Sequence, residues 1–253
     1  MFERSFLGGR NTGGPIKSKG LARVLEIILD NLSRFLISNL LCLLCLAPGG
    51  LVVLYALTGN SPFLLFGAGL LGGMLFGPAY GAMSDGMLYA VRGVPGNWWR
   101  KYRRAWARDW RGNLIPGAIT GLLAALLVYE AFVLAMDASF LPPSIYVCTA
   151  VTVALLMGLF TYFWPQRAFS DLKTGQLFKN SRLMMMAHPS TALKAVGVQL
   201  LYWALIVVGF PYSAIALPVL GLWFPQLMGL LLIYPQLNAD FKIEERLGEE
   251  DLA

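Results

Sequence analysis

Charge is the first thing this sequence is short of: Asp, Glu, Lys and Arg make up 13% of its 253 residues, about half the roughly 25% usual in soluble domains. With 57% of the chain hydrophobic, that shortage excludes a soluble globular domain and a disordered chain. Apolar and polar residues do not alternate as the strands of an outer-membrane barrel require. Histidine is represented once, by His188, beside Pro189. A Ser–His hydrolase or a zinc centre needs more than that. Of three cysteines, Cys42 and Cys45 form a CxxC inside an apolar run and Cys148 stands alone, a pattern of packing residues rather than of a disulfide framework or a metal clip. There is no P-loop, no GxGxxG followed by a ribose-binding acid, and no cluster of acids to hold magnesium. Asp85-Gly86 and Arg92-Gly93 match a lipid transferase only superficially. No enzyme, cofactor or metal is expected.

What remains is long apolar runs. A bilayer crossing takes roughly 20 apolar residues, and the runs with their breakers give six: 35–57 (interrupted by Pro48, Gly49 and Gly50), 63–83, 114–136, 144–166, 193–210 and 214–235. Short connections at 58–62, 137–143 and 211–213 alternate with long ones at 84–113 and 167–192. Of the 20 Lys and Arg, six precede the first span, seven fall between spans two and three, five lie in or beside the fourth-to-fifth connection and two follow span six. The short loops hold none. With an even number of spans, all basic residues lie on one side, which the positive-inside rule assigns to the cytoplasm. The expected fold is therefore all-α: a single polytopic six-helix membrane domain over residues 1–253. It comprises a cytoplasmic segment 1–34, a bundle 35–236 and a cytoplasmic tail 237–253. The expected location is a bacterial cytoplasmic membrane, and the late, long first apolar run is not a cleavable signal. Net charge +6 on that face suits anionic headgroups and, with no recognition motif beside it, does not imply nucleic acid.

Three local features stand out. Gly69, Gly73, Gly77 and Gly81 recur every four residues in span two, and Gly117, Gly121 and Ala125 in span three. Such stripes let backbones approach closely, either between these two helices or at a homodimer seam or pore face. The stretch GNWWRKYRRAWARDWRGN at 96–113, wound as a helix, puts Trp99, Tyr102, Trp106 and Trp110 on one stripe beside Trp98. Arg100, Lys101, Arg104, Arg108 and Arg111 fall on the far side. It reads as an interfacial amphipathic helix near 96–112, flat on the bilayer with its rings buried, serving either as an anchor or as a docking platform. Glu130 is the one carboxylate well inside a span, roughly 24 Å along a core about 30 Å thick. It is either an outer interfacial group or a transport carboxylate.

Lesser signals are a Pro followed by an Asp at the end of each even span (Pro78 and Asp85, Pro165 and Asp171, Pro235 and Asp240), a hint of three repeated hairpins kinked near their ends. Asp30 and Arg34 are spaced to pair along one helix, and the flanking Asn31 and Asn39 to bond across helices.

ERSFL at the start, ILDNLSRFLISNLLCLLCLAPGG, GPAYGAM, WWRKYRRAWARDWRGN and LFKNSRLMMMAHP resemble the YesL-type family of bacterial six-helix membrane proteins, a domain of unknown function. The resemblance implies an inner-membrane protein encoded beside carbohydrate ABC transporters, and so an accessory or assembly partner of such an uptake system. A stand-alone small-solute transporter or channel, and a purely structural lipid-organising protein, remain open beside it. The accessory role would be exercised through the 96–113 helix and a 172–187 helix.

Overall fold

The computed structural model describes residues 20–59, 61–94, 96–136, 142–170 and 172–245. The ERSFL start, the basic residues before Gly20, most of the 137–143 connection, Asp171 and the end of the tail from residue 246 lie outside the described residues. Every described element is helical: α1 (Leu21–Thr58), α2 (Pro62–Arg92), α3 (Trp98–Met136), α4 (Pro143–Phe169), α5 (Thr174–Ala187), α6 (Pro189–Val208), a 3-10 turn (Tyr212–Ile215), α7 (Ala216–Val219) and α8 (Trp223–Phe241). Local chemistry places several ends. Proline opens α2, α4 and α6, where its missing N–H costs nothing. Gly93, at φ 69°, closes α2 in the left-handed conformation that glycine adopts freely.

Five helices are long and apolar enough to cross a membrane, and the bent pair Tyr212–Val219 and Trp223–Phe241 makes a sixth crossing when taken as one span. Contacts between helix ends support six. Arg23 at the start of α1 donates to the Val91 carbonyl at the end of α2 (3.3 Å), and Lys101 at the start of α3 lies over the Tyr89 ring (4.0 Å). Arg92 pairs with Glu244 just beyond α8 (3.7 Å). Phe169 closing α4 packs on Phe241 closing α8, and His188 before α6 meets Asp240 (3.2 Å). These ends share one basic end of the bundle, so the chain leaves it and returns three times. The protein is a multi-pass helical membrane protein. Helix α2 is its centre, packed against α1, α3, α4 and α8, while leucines such as Leu44 and Leu71 face outward, as lipid-facing positions do.

Four expectations are corrected in detail. First, α1 runs unbroken through Pro48-Gly49-Gly50. Gly49 is used for a helix contact, since a Cβ there would stand 2.7 Å from the Gly72 Cα. Second, the amphipathic 96–112 segment is not a separate helix lying flat: it is continuous with the third span in a 39-residue α3, roughly 58 Å long. Third, the sixth span is broken, with α7 and α8 inclined at 61° around 220–222. Fourth, Arg34 donates to Asn31 (2.8 Å), while Asp30 acts on it electrostatically without a direct ion pair among the described residues.

Candidate functional site

The aromatic and basic stretch begins with Asn97, whose side-chain oxygen accepts from the Arg100 N–H (3.1 Å), satisfying one of the donors left open at a helix start. From there α3 buries Trp98, Tyr102 and Ala105 against Ala82 of α2, with Ile37 and Leu41 of α1 packed alongside. Trp98 finds room because Gly86 faces it: a Cβ there would already touch the indole at 3.5 Å. The Tyr102 hydroxyl donates to the Ala79 carbonyl (3.4 Å). The buried edge is therefore 98–102–105, one step round from the expected 99–102–106–110 stripe. Trp99 and Trp110 are outward, 40% and 43% exposed, because α2 covers the other side.

That rotation leaves a groove of about 800 Å³ between α1 and the first turns of α3. Leu41, Trp99, Tyr102 and Trp106 give it an apolar wall, and Arg100, Arg103 and Arg104 a cationic one. Trp99 and Tyr102 lie parallel, with centroids 6.0 Å apart and planes 6° from parallel. Of the expected residues, Trp99, Tyr102, Arg104 and Trp106 meet here. Trp98 lies beneath them, and Trp110 stacks under Arg111 (5.1 Å). Arg108 belongs elsewhere: it pairs with Asp109 (2.7 Å), which also holds Arg167 of α4 (3.0 Å). Arg100 and Arg103 were legible as neighbours on the same helix. Leu41 was not, since nothing local ties it to a segment some sixty positions on.

Compared with known protein families, curated proteins and solved structures, this chain matches none.

The glycine stripe packs within the chain. A Cβ on Gly73 would stand 2.8 Å from the Gly121 Cα, one on Gly77 3.0 Å from the Gly117 Cα, and one on Gly69 2.5 Å from the Ala125 Cβ. Gly81 meets the Asn113 side chain at 3.0 Å. Both readings of the stripe required glycine. These contacts account for it between α2 and α3, with no second chain needed.

Glu130 accepts from the Thr149 hydroxyl of α4 (2.7 Å), far along α3 from the groove. Among the described residues the buried polar side chains are neutral apart from Asp85 of α2, and several of the neutral ones join helices. Tyr80 of α2 donates to Gln226 of α8 (3.0 Å), and Gln199 of α6 to Thr161 of α4 (2.8 Å). Asn39 of α1 donates to the carbonyls of Leu217 and Pro218 (2.9 Å each) and accepts from Leu222 N–H (2.9 Å). A helix broken within a membrane protein needs partners for the backbone groups it frees, and Asn39 supplies them. Cys42 is buried, Cys45 half-buried and Cys148 exposed, all as free thiols. Among the described residues no three His, Cys, Asp or Glu side chains gather as a metal site would require.

Proposed function

We propose that this multi-pass protein is a non-enzymatic accessory or assembly subunit of a bacterial carbohydrate ABC-type uptake system, held in the cytoplasmic membrane with its basic end inward. The observation that carries the proposal is the construction of that end. Arg108, Asp109 and Arg167 lock α3 to α4, Arg108 also donates to the Ala168 carbonyl (3.4 Å), and Thr174 of α5 donates to the Gly112 carbonyl of α3 (3.3 Å). Several helices are thereby fixed into one surface outside the apolar spans, as a docking face requires. On it, α5 turns Leu177, Ser181 and Met184 inward and leaves Leu183 and Met186 50% and 68% exposed. Apolar side chains on a polar face are contact points for a partner. The partner class follows from the YesL-type resemblance.

Affinity purification of the full chain from its native membrane in mild detergent tests the proposal. The expected result is recovery of permease subunits of a carbohydrate ABC transporter, reduced by Leu183→Asp with Met186→Asp. Intact expression without any transporter subunit would sink it.

A second reading, a stand-alone transporter, is favoured by the broken sixth span, because discontinuous helices are where transporters expose backbone groups to solutes. Its discriminating variant is Glu130→Gln.

A further inference from the structure

We propose that the groove between α1 and the start of α3 seats one anionic phospholipid, its phosphate held by Arg100, Arg103 and Arg104 and its acyl chain starting along Leu41. This is independent of the transporter proposal.

Three observations lead to it. The first is uncompensated charge. Among the described residues, no hydrogen bond or ion pair engages the guanidinium groups of Arg100, Arg103 or Arg104, whereas that of Arg108, eight residues beyond the first of them, is held by Asp109. No acidic residue occurs between 97 and 107, so the cationic wall has no counter-charge on its own segment. Guanidinium groups bind phosphate oxygens through planar, paired donors.

The second is the floor. A site for a soluble anion would be polar throughout, yet here the arginines face Trp99, Tyr102, Trp106 and Leu41. Tryptophan and tyrosine favour the headgroup level, where one edge is apolar and the other wet.

The third is depth. Leu41 is seven residues beyond Arg34 on α1, roughly 10 Å further along the axis, and Leu44, one turn on, is 69% exposed. The groove thus runs from guanidinium groups down to a lipid-facing helix surface, the shape of a headgroup continued by a chain. An acidic peptide would match the charge but not the descent along α1. Basic pockets between spans on the cytoplasmic side suit such headgroups.

The test uses the full chain, delipidated in mild detergent and offered equal amounts of phosphatidylglycerol and phosphatidylcholine with matched chains, with retained lipid counted by native mass spectrometry. Expected is one phosphatidylglycerol per chain, preferred by at least about fivefold, the factor expected of one well-placed basic residue. Arg100→Gln with Arg103→Gln and Arg104→Gln should bring the preference to near unity. Lys173→Gln with Lys179→Gln and Arg182→Gln, which removes the same charge from α5, should leave it unchanged. Ala107→Trp, which fills the groove without touching charge, should also lose the lipid and stands in if the arginine variant fails to fold. Inorganic phosphate at millimolar concentration should not displace the lipid. Equal retention of both lipids by the unaltered protein, equal loss from both triple variants, full retention by Ala107→Trp, or displacement by phosphate would each overturn the proposal.

Discussion

Asn39 and Gly221 fit one another at the break in the last span: a Cβ on Gly221 would stand 2.5 Å from the Asn39 Oδ1 and 2.6 Å from its Nδ2. Gly221 lies at φ 22°, and its bare Cα lets the carboxamide of a fully buried side chain reach the Leu217 and Pro218 carbonyls and the Leu222 N–H. Asn39→Ala leaves those groups unpaired. Each buried orphan costs about 1–3 kcal/mol, so a clear loss of stability is expected in detergent-denaturation curves. Asn39→Asp will not rescue, because it keeps the acceptor for Leu222 but turns an oxygen toward two carbonyls. Wild-type stability in both variants would show that the break is held by something else.

Trp98 and Trp99 are adjacent and should behave oppositely. Trp98 is 8% exposed and fills the space over Gly86, so Trp98→Ala should cost about 3–5 kcal/mol. Trp99→Ala removes an outward ring of the groove and should leave the unfolding midpoint almost unmoved while weakening lipid retention. If the two variants exchanged these phenotypes, the burial of 98–102–105 would be refuted.

The glycines separate into two classes. Gly73→Leu and Gly77→Leu drive side chains into the α3 backbone, and both should abolish folded protein in fluorescence-detected size exclusion. Gly67 and Gly197 face open space inside helices, so Gly67→Ala and Gly197→Ala should be neutral or raise the melting temperature, helical alanine being favoured by roughly 0.5–1 kcal/mol. Monodisperse, stable Gly73→Leu and Gly77→Leu would count directly against the α2–α3 contact.

Asp109 and Arg167 are each 14% exposed, sheltered enough for their pairing to matter. A double-mutant cycle with Asp109→Asn and Arg167→Gln should give a coupling of about 1–3 kcal/mol. Additive losses would reduce the ion-paired face to a coincidence of neighbours.

Glu130→Gln retains an oxygen to accept from Thr149, so the fold should tolerate it. In reconstituted vesicles the accessory proposal expects solute flux to be the same for both proteins, and the transporter reading expects it to change. Flux altered at unchanged stability would favour the transporter.

Much of this was legible in the sequence because hydropathy and Lys/Arg sidedness are local properties, and a run such as 63–83 announces itself without reference to any neighbour. The glycine spacing was legible for the same reason. What escaped depends on distant partners. Which tryptophan turns inward is decided by Gly86 and Ala82 of the preceding helix, not by the pattern of 96–113. The change from arginine-rich to apolar sequence near 113 resembled a boundary, yet no residue there stops a helix, and Pro116 is carried inside α3. The break at 220–222 rests on Asn39, separated from Leu217 by 178 positions. No periodicity within 214–235 reveals it.

The glycine contact has a mechanical corollary. Where Cα and carbonyl atoms of α2 and α3 touch over three successive turns, sliding by one residue would drive Leu70 and Met74 toward the surface now met by Gly69 and Gly73. The second and third spans are thus interlocked as a stator. Any rearrangement of the helices must therefore carry α2 and α3 together as one body.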